Sequence, residues 1–142
     1  NSIYFSNNFN NFFSLDKNNV FINWGQNINS DLKPVIINNL ILTISLEGYL
    51  YIVEKNTGNI IRITDVFNDF KDRKRKTIYP VGFILSNRNI YLSLNTGKIL
   101  EIDIASGRHI STLKISRDTI SKPFINDKKM FVVKNNSIIR LN

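Results

Sequence analysis

Cysteine is absent from the 142 residues, which removes disulfides, thiolate metal sites, cysteine nucleophiles and lipid attachment through this stretch. A single histidine, His109, leaves little for a zinc site or a histidine-based triad. No apolar run approaches the ~18 residues that span a bilayer. Amphipathic helices are also missing: no eleven-residue window carries a capped 3.6-residue apolar stripe, and the best candidate, 65–75, is too charged and loop-like to count. These absences speak against an enzyme. With 42% hydrophobic and 21% charged residues, the chain has the balance of one folded domain rather than of a disordered segment.

Acidic residues are scarce beside basic ones, 11 Asp and Glu against 19 Lys and Arg, for a net charge of +8. Such an excess raises the alternative of a basic module for nucleic acid or an anionic surface. The sequence also holds 22 Asn, 23 Ile and 12 Lys, residues with codons rich in A and T. In AT-rich coding sequence lysine accumulates on solvated surfaces without selection for binding, so no nucleic-acid partner is expected.

What the chain does have is a repeat. Four stretches share an alternating apolar run, a Gly or Asn turn, a second apolar run and an acid or amide. They begin at Ile3, Leu40, Ile90 and Met130. Aligning Asn10, Gly48, Gly97 and Asn136 gives spacings of 38, 49 and 39, and Asp16, Glu54, Asp103 and Asn142 give the same three. Gly and Asn tolerate the positive φ of short hairpin turns. A second turn follows the acid, as DKNNV at 16–20, EKNTGN at 54–59 and DIASGR at 103–108, where Asx and Ser/Thr side chains bond the backbone. The acids therefore read as turn formers rather than a catalytic set. Pro34, Pro80 and Pro123 precede apolar runs, where proline opens an edge strand, and are taken to share one phase.

Each complete unit predicts four short strands: 35–37, 40–45, 49–54 and 60–64 in the second, and 81–85, 89–94, 99–103 and 109–115 in the third. Four-stranded units of about 40–45 residues point to a β-propeller. The fold class is all-β, with two full and two partial blades of an incomplete ring. The repeats fall at about 1–30, 31–68, 78–116 and 119–142, all part of one propeller domain. The first unit starts at its second strand and the last stops at its third, so the ring is expected to continue outside this segment.

The unit resembles the pyrroloquinoline-quinone-type repeat. Its Asp-Gly-x-Leu-Tyr centre appears as Glu47-Gly48-Tyr49-Leu50-Tyr51, its Thr-Gly hairpin as Thr57-Gly58, and its docking tryptophan once, as Trp24. Arg62 and Ser111 stand at the corresponding later positions. Among such propellers the chain is most similar to the C-terminal half of BamB-type outer-membrane protein assembly lipoproteins. That resemblance implies a non-enzymatic scaffold in the periplasm, with no cofactor, a barrel insertase as protein partner, and the membrane reached only through a lipid anchor outside the segment. A fragment of a quinoprotein dehydrogenase is the enzymatic alternative, but no carboxylates cluster here around a base.

The surplus in the spacing falls at 65–77. Its Lys71, Arg73, Lys74, Arg75 and Lys76 are the candidate partner-binding residues, since insertions in repeats map to loops on one face, often the binding face. Arg73 and Arg75 could fork onto carboxylates or phosphates; the other reading is a solvated loop with no partner. Other features read as structural: His109 as an exposed strand residue, and Phe9, Phe12 and Phe13 as packing between blades.

Overall fold

A computed structural model describes residues 2–141, which form two compact units dividing after Asp65. The first unit holds two antiparallel sheets. One is β1 (Ser2–Asn7), β2 (Asn11–Asp16) and β3 (Ile22–Gln26), and the other is β4 (Val35–Ile37), β5 (Leu40–Ile44), β6 (Tyr49–Glu54) and β7 (Ile60–Asp65). The second unit holds a one-turn helix α1 (Asp72–Arg75), then β8 (Pro80–Ser86), β9 (Asn89–Leu94), β10 (Lys98–Asp103) and β11 (His109–Lys114). Its second sheet is β12 (Phe124–Asn126), β13 (Lys129–Lys134) and β14 (Ser137–Leu141). Neighbours in sequence are neighbours in every sheet, so short turns make all the pairings.

The four alignment markers sit in equivalent turns with positive φ: Asn10 at 58°, Gly48 at 88°, Gly97 at 71° and Asn136 at 60°. These join β1 to β2, β5 to β6, β9 to β10 and β13 to β14. The first sheet therefore occupies strand positions two to four of a unit and the last occupies one to three. The architecture is two complete four-stranded blades and two three-stranded ones.

The acid-led turns repeat one backbone pattern. The amides of Asp16, Glu54 and Asp103 donate to the carbonyls of Phe21, Asn59 and Arg108 at 2.8–2.9 Å. Five-residue turns close beneath them, with Val20, Gly58 and Gly107 donating back to the acid's carbonyl at 2.8–3.0 Å. The oxygens of Asn19, Thr57 and Ser106 accept the amides of Phe21, Asn59 and Arg108. A bulge also recurs: the pairing shifts by one between Ser14 and Leu15, Ile52 and Val53, and Glu101 and Ile102. It leaves Asn23, Ile61 and Ile110 as the extra residues of the outer strands.

Two expectations need correction. Ile37, Ser86 and Asn126 close the first strand of their units, so Pro34 and Pro123 are in phase but Pro80 lies three residues further upstream. The strand β8 is longer, and Pro80 opens it beside a bulge. Phe9 lies on the turn between β1 and β2, which carries its ring off the sheet and leaves it exposed, not packed; its amide donates to Asn7 Oδ1. Phe12 does pack, edge-on to Trp24 at 5.5 Å, in a core with Ile28, Ile41 and Val53. In the second unit Ile99, Ile120 and Val132 form a core flanked by Tyr91 and Leu113.

Candidate interaction surface

The insertion is anchored at both ends within the second unit. Val66 and Phe67 are buried, and Phe70 meets Phe67 edge-on at 5.7 Å while its amide donates to the Phe67 carbonyl. At the other end Ile78 is buried, and Asn95 bonds the Tyr79 amide and the Thr77 carbonyl at 2.9 Å each. The loop thus carries core residues at both ends.

Between these anchors the chain makes a single helical turn that charge alone would not sustain. Lys71 has the extended φ of −62° and ψ of 146°, and its carbonyl accepts the amides of Lys74 and Arg75. Asp72 lies in the first turn and Arg73, Lys74 and Arg75 in the last, the arrangement that suits the peptide dipoles. Thr77 Oγ1 closes the end by donating to the Lys74 carbonyl at 3.0 Å. Lys71, Arg73, Lys74 and Lys76 are exposed and Arg75 is half-buried. At about 100° per residue Arg73 and Arg75 point to nearly opposite sides, so each guanidinium presents its own donors.

The insertion gives His109 a partner that the sequence does not signal. Asp69 Oδ2 lies 2.9 Å from His109 Nδ1, and His109 Nε2 lies 2.8 Å from Thr112 Oγ1. The bulge makes this possible: His109 pairs with Ile102 and Thr112 with Leu100, so residues three apart share a face. Asp69 accepting from Nδ1 leaves Nε2 to accept the threonine hydroxyl. The chain of bonds clasps the insertion to β11. Phe70, Val66, Leu100 and this trio line a cleft of about 200 Å³. Asp69 is 40 residues from His109 in sequence, and no local motif signals the pairing.

Trp24 Nε1 donates to the Lys55 carbonyl at 3.0 Å, and Gln26 Nε2 to that of Gly58 at 2.7 Å. The indole lies against Gly58 so closely that a Cβ there would fall 2.5 Å from its Cδ2. At the matching position of β11, Ser111 donates to Glu101 at 2.6 Å. That bond, with those from Tyr91 at 2.9 Å and Asn89 at 2.7 Å, overcomes burial and holds the Glu101 carboxyl below its usual range. Burial first, then the bond to Glu101, pushes the Tyr91 phenol up. Among the described residues no three acidic or histidine side chains converge as metal ligands, and no helix is long and apolar enough to cross a membrane.

The sequence matches no family profile and no curated protein. Solved structures do match. BamB from Moraxella catarrhalis aligns over 98% of this chain and 39% of its own, with a TM-score of 0.73 at 12% identity. Sqt1 from Saccharomyces cerevisiae aligns over 96% of this chain and 40% of its own, at 0.74 and 12%. The computationally designed Ika4 protein aligns over 99% and 84%, at 0.73 and 10%. The sheets are β-propeller blades. The chain spans about two fifths of the BamB and Sqt1 structures, and the shared feature at these identities is the fold.

Proposed function

We propose that these blades belong to a non-enzymatic protein-interaction scaffold of the BamB type. It would act at the periplasmic face of the outer membrane in barrel-protein assembly, with the barrel insertase as partner. The observation that carries the reading is Trp24 docked on the 54–59 turn. This is the contact that the resemblance to the pyrroloquinoline-quinone-type repeat calls for, and the likeness to BamB spans nearly the whole segment. Propellers present loops on a rigid frame, which suits the presentation of a binding surface. The insertion with Lys71, Arg73, Lys74, Arg75 and Lys76 is the partner surface in this reading, and the chain is one part of a larger propeller domain.

The test is co-purification of the full-length protein with the outer-membrane barrel insertase. Recovery of the insertase, reduced by Arg73→Glu with Arg75→Glu but not by Lys128→Glu with Lys129→Glu, supports the reading. Recovery of nucleic acid in its place would support the basic-module alternative instead.

A further inference from the structure

We infer that the cleft beside the insertion seats an acidic peptide segment of the partner, with one aliphatic side chain of that segment entering between Phe70 and Leu100. This inference rests on the scaffold reading and names the chemistry of the partner's docking segment.

Size comes first. The cleft measures about 200 Å³, and a cavity of about 150 Å³ already takes up a benzene-sized group, so one leucine-sized side chain fits and a longer ligand does not. Its apolar walls are Val66, Phe70 and Leu100. Leu100 and Val66 are buried while Phe70 is half-exposed, so the floor is rigid and one wall faces solvent.

Charge decides what surrounds that side chain. Lys71 follows Phe70 directly, and residues 71–76 hold five cations against Asp72, a net +4 and half of the chain's +8. Like charges three and four apart on a helical turn repel, and an acidic ligand relieves that repulsion. Arg73 and Arg75 diverge, however, so the cations form no track that a phosphate backbone could follow. Asp69, with its side chain 64% exposed at the rim, repels phosphates yet accepts a peptide N–H. A peptide carrying separate carboxylates satisfies both constraints.

The clasp holds this geometry. The Asp69–His109–Thr112 bonds fix the rim from two sides, which lowers the ordering cost of binding.

The experiment uses the full chain and a fluorescent peptide in which one leucine is flanked on both sides by glutamate and aspartate. Anisotropy should show saturable binding that weakens steeply with salt. Replacing the leucine by serine should weaken it about tenfold, the order expected for losing one buried aliphatic group. Phe70→Ala, which removes one apolar wall and leaves the Asp69–His109–Thr112 bonds in place, should cost the leucine peptide about tenfold and the serine peptide much less, as a cycle over a real contact requires. Equal binding of the two peptides to the wild-type chain would overturn the inference, since charge alone would then suffice. So would a single-stranded oligonucleotide of equal charge that competes as well as the peptide. The scaffold reading fails separately. In cells, a photo-crosslinker at Ile61 that captures the insertase while one at the exposed Asn68, beside the rim residue Asp69, does not sinks the cleft and spares the scaffold. Capture from neither position sinks both.

Discussion

Val20 carries a branched side chain at φ 62°, where the two equivalent turns carry Gly58 and Gly107 at 75° and 71°. A β-branched residue there is strained by ~1–2 kcal/mol, and its side chain is 65% exposed, so little packing is lost by removing it. Val20→Gly should raise the melting temperature by a few degrees, less the added freedom of the unfolded chain; a fall would mean that the turn is not left-handed. The reverse holds at Gly58. There an alanine meets both the positive φ and the Trp24 ring, and Gly58→Ala should destabilise by ~2 kcal/mol or more. Because Trp24 is the sole tryptophan, its emission reports the loss of that contact directly. Positions of this kind were legible in the sequence, since only Gly and Asn sit easily at positive φ. Val20 was legible only as a looser copy of the turn.

Elements were readable wherever a strand alternates and is bounded by such turns. The expected 35–37, 49–54 and 89–94 match β4, β6 and β9 end to end. Pro80 misled because proline marks the start of a strand, not its length, and β8 starts six residues before its last residue where β4 and β12 start two before theirs. The α1 turn was invisible for another reason: its stability comes from anchors on either side, not from propensity. His109 was read as an exposed strand residue, and it does open β11. Its partner Asp69 lies in the insertion, outside any periodic pattern. Asp69→Asn or His109→Ala should speed amide exchange over 66–78 while leaving the β9 and β10 amides protected. Truncating the buried anchor is harsher, and Phe67→Ala should cost ~3–5 kcal/mol. The Glu101 network gives a pH signature. Its carboxyl is held below the usual value of 4.5, so its stabilising contribution is complete above that value and is lost as pH falls through the lower, folded one. Melting temperature should therefore drop more steeply under acid for the wild type than for Glu101→Gln, and parallel curves would show that the network adds nothing.

Taken whole, the molecule keeps its charge apart from its cores. The cores named above are built from Phe12, Trp24, Ile28, Ile41 and Val53 in one unit and from Ile99, Ile120 and Val132 in the other. Half of the net charge lies on six residues of one insertion. Arg73→Glu with Arg75→Glu changes the net charge from +8 to +4, and so does Lys128→Glu with Lys129→Glu. Equal losses of partner association would make the effect one of total charge, and a loss confined to the first pair is expected. Since Arg75 is half-buried, the first pair is also expected to lower the melting temperature slightly, by less than the Phe67 truncation does. The repeat spacing disclosed the blades and the insertion, whereas the walls of the cleft come from residues 66, 70 and 100, which only folding brings together.

The three acid-led turns share one set of backbone bonds although no position is identical in all of DKNNVF, EKNTGN and DIASGR. They are, in effect, interchangeable sockets. A six-residue cassette tuned at one of them can be transplanted to another, provided that the 54–59 site keeps glycine at its fifth position, where Trp24 leaves no room for a Cβ. The same property lets a duplicated gene diversify its loops independently while the framework stays constant, and it offers the engineer three display sites of known geometry in a single short chain.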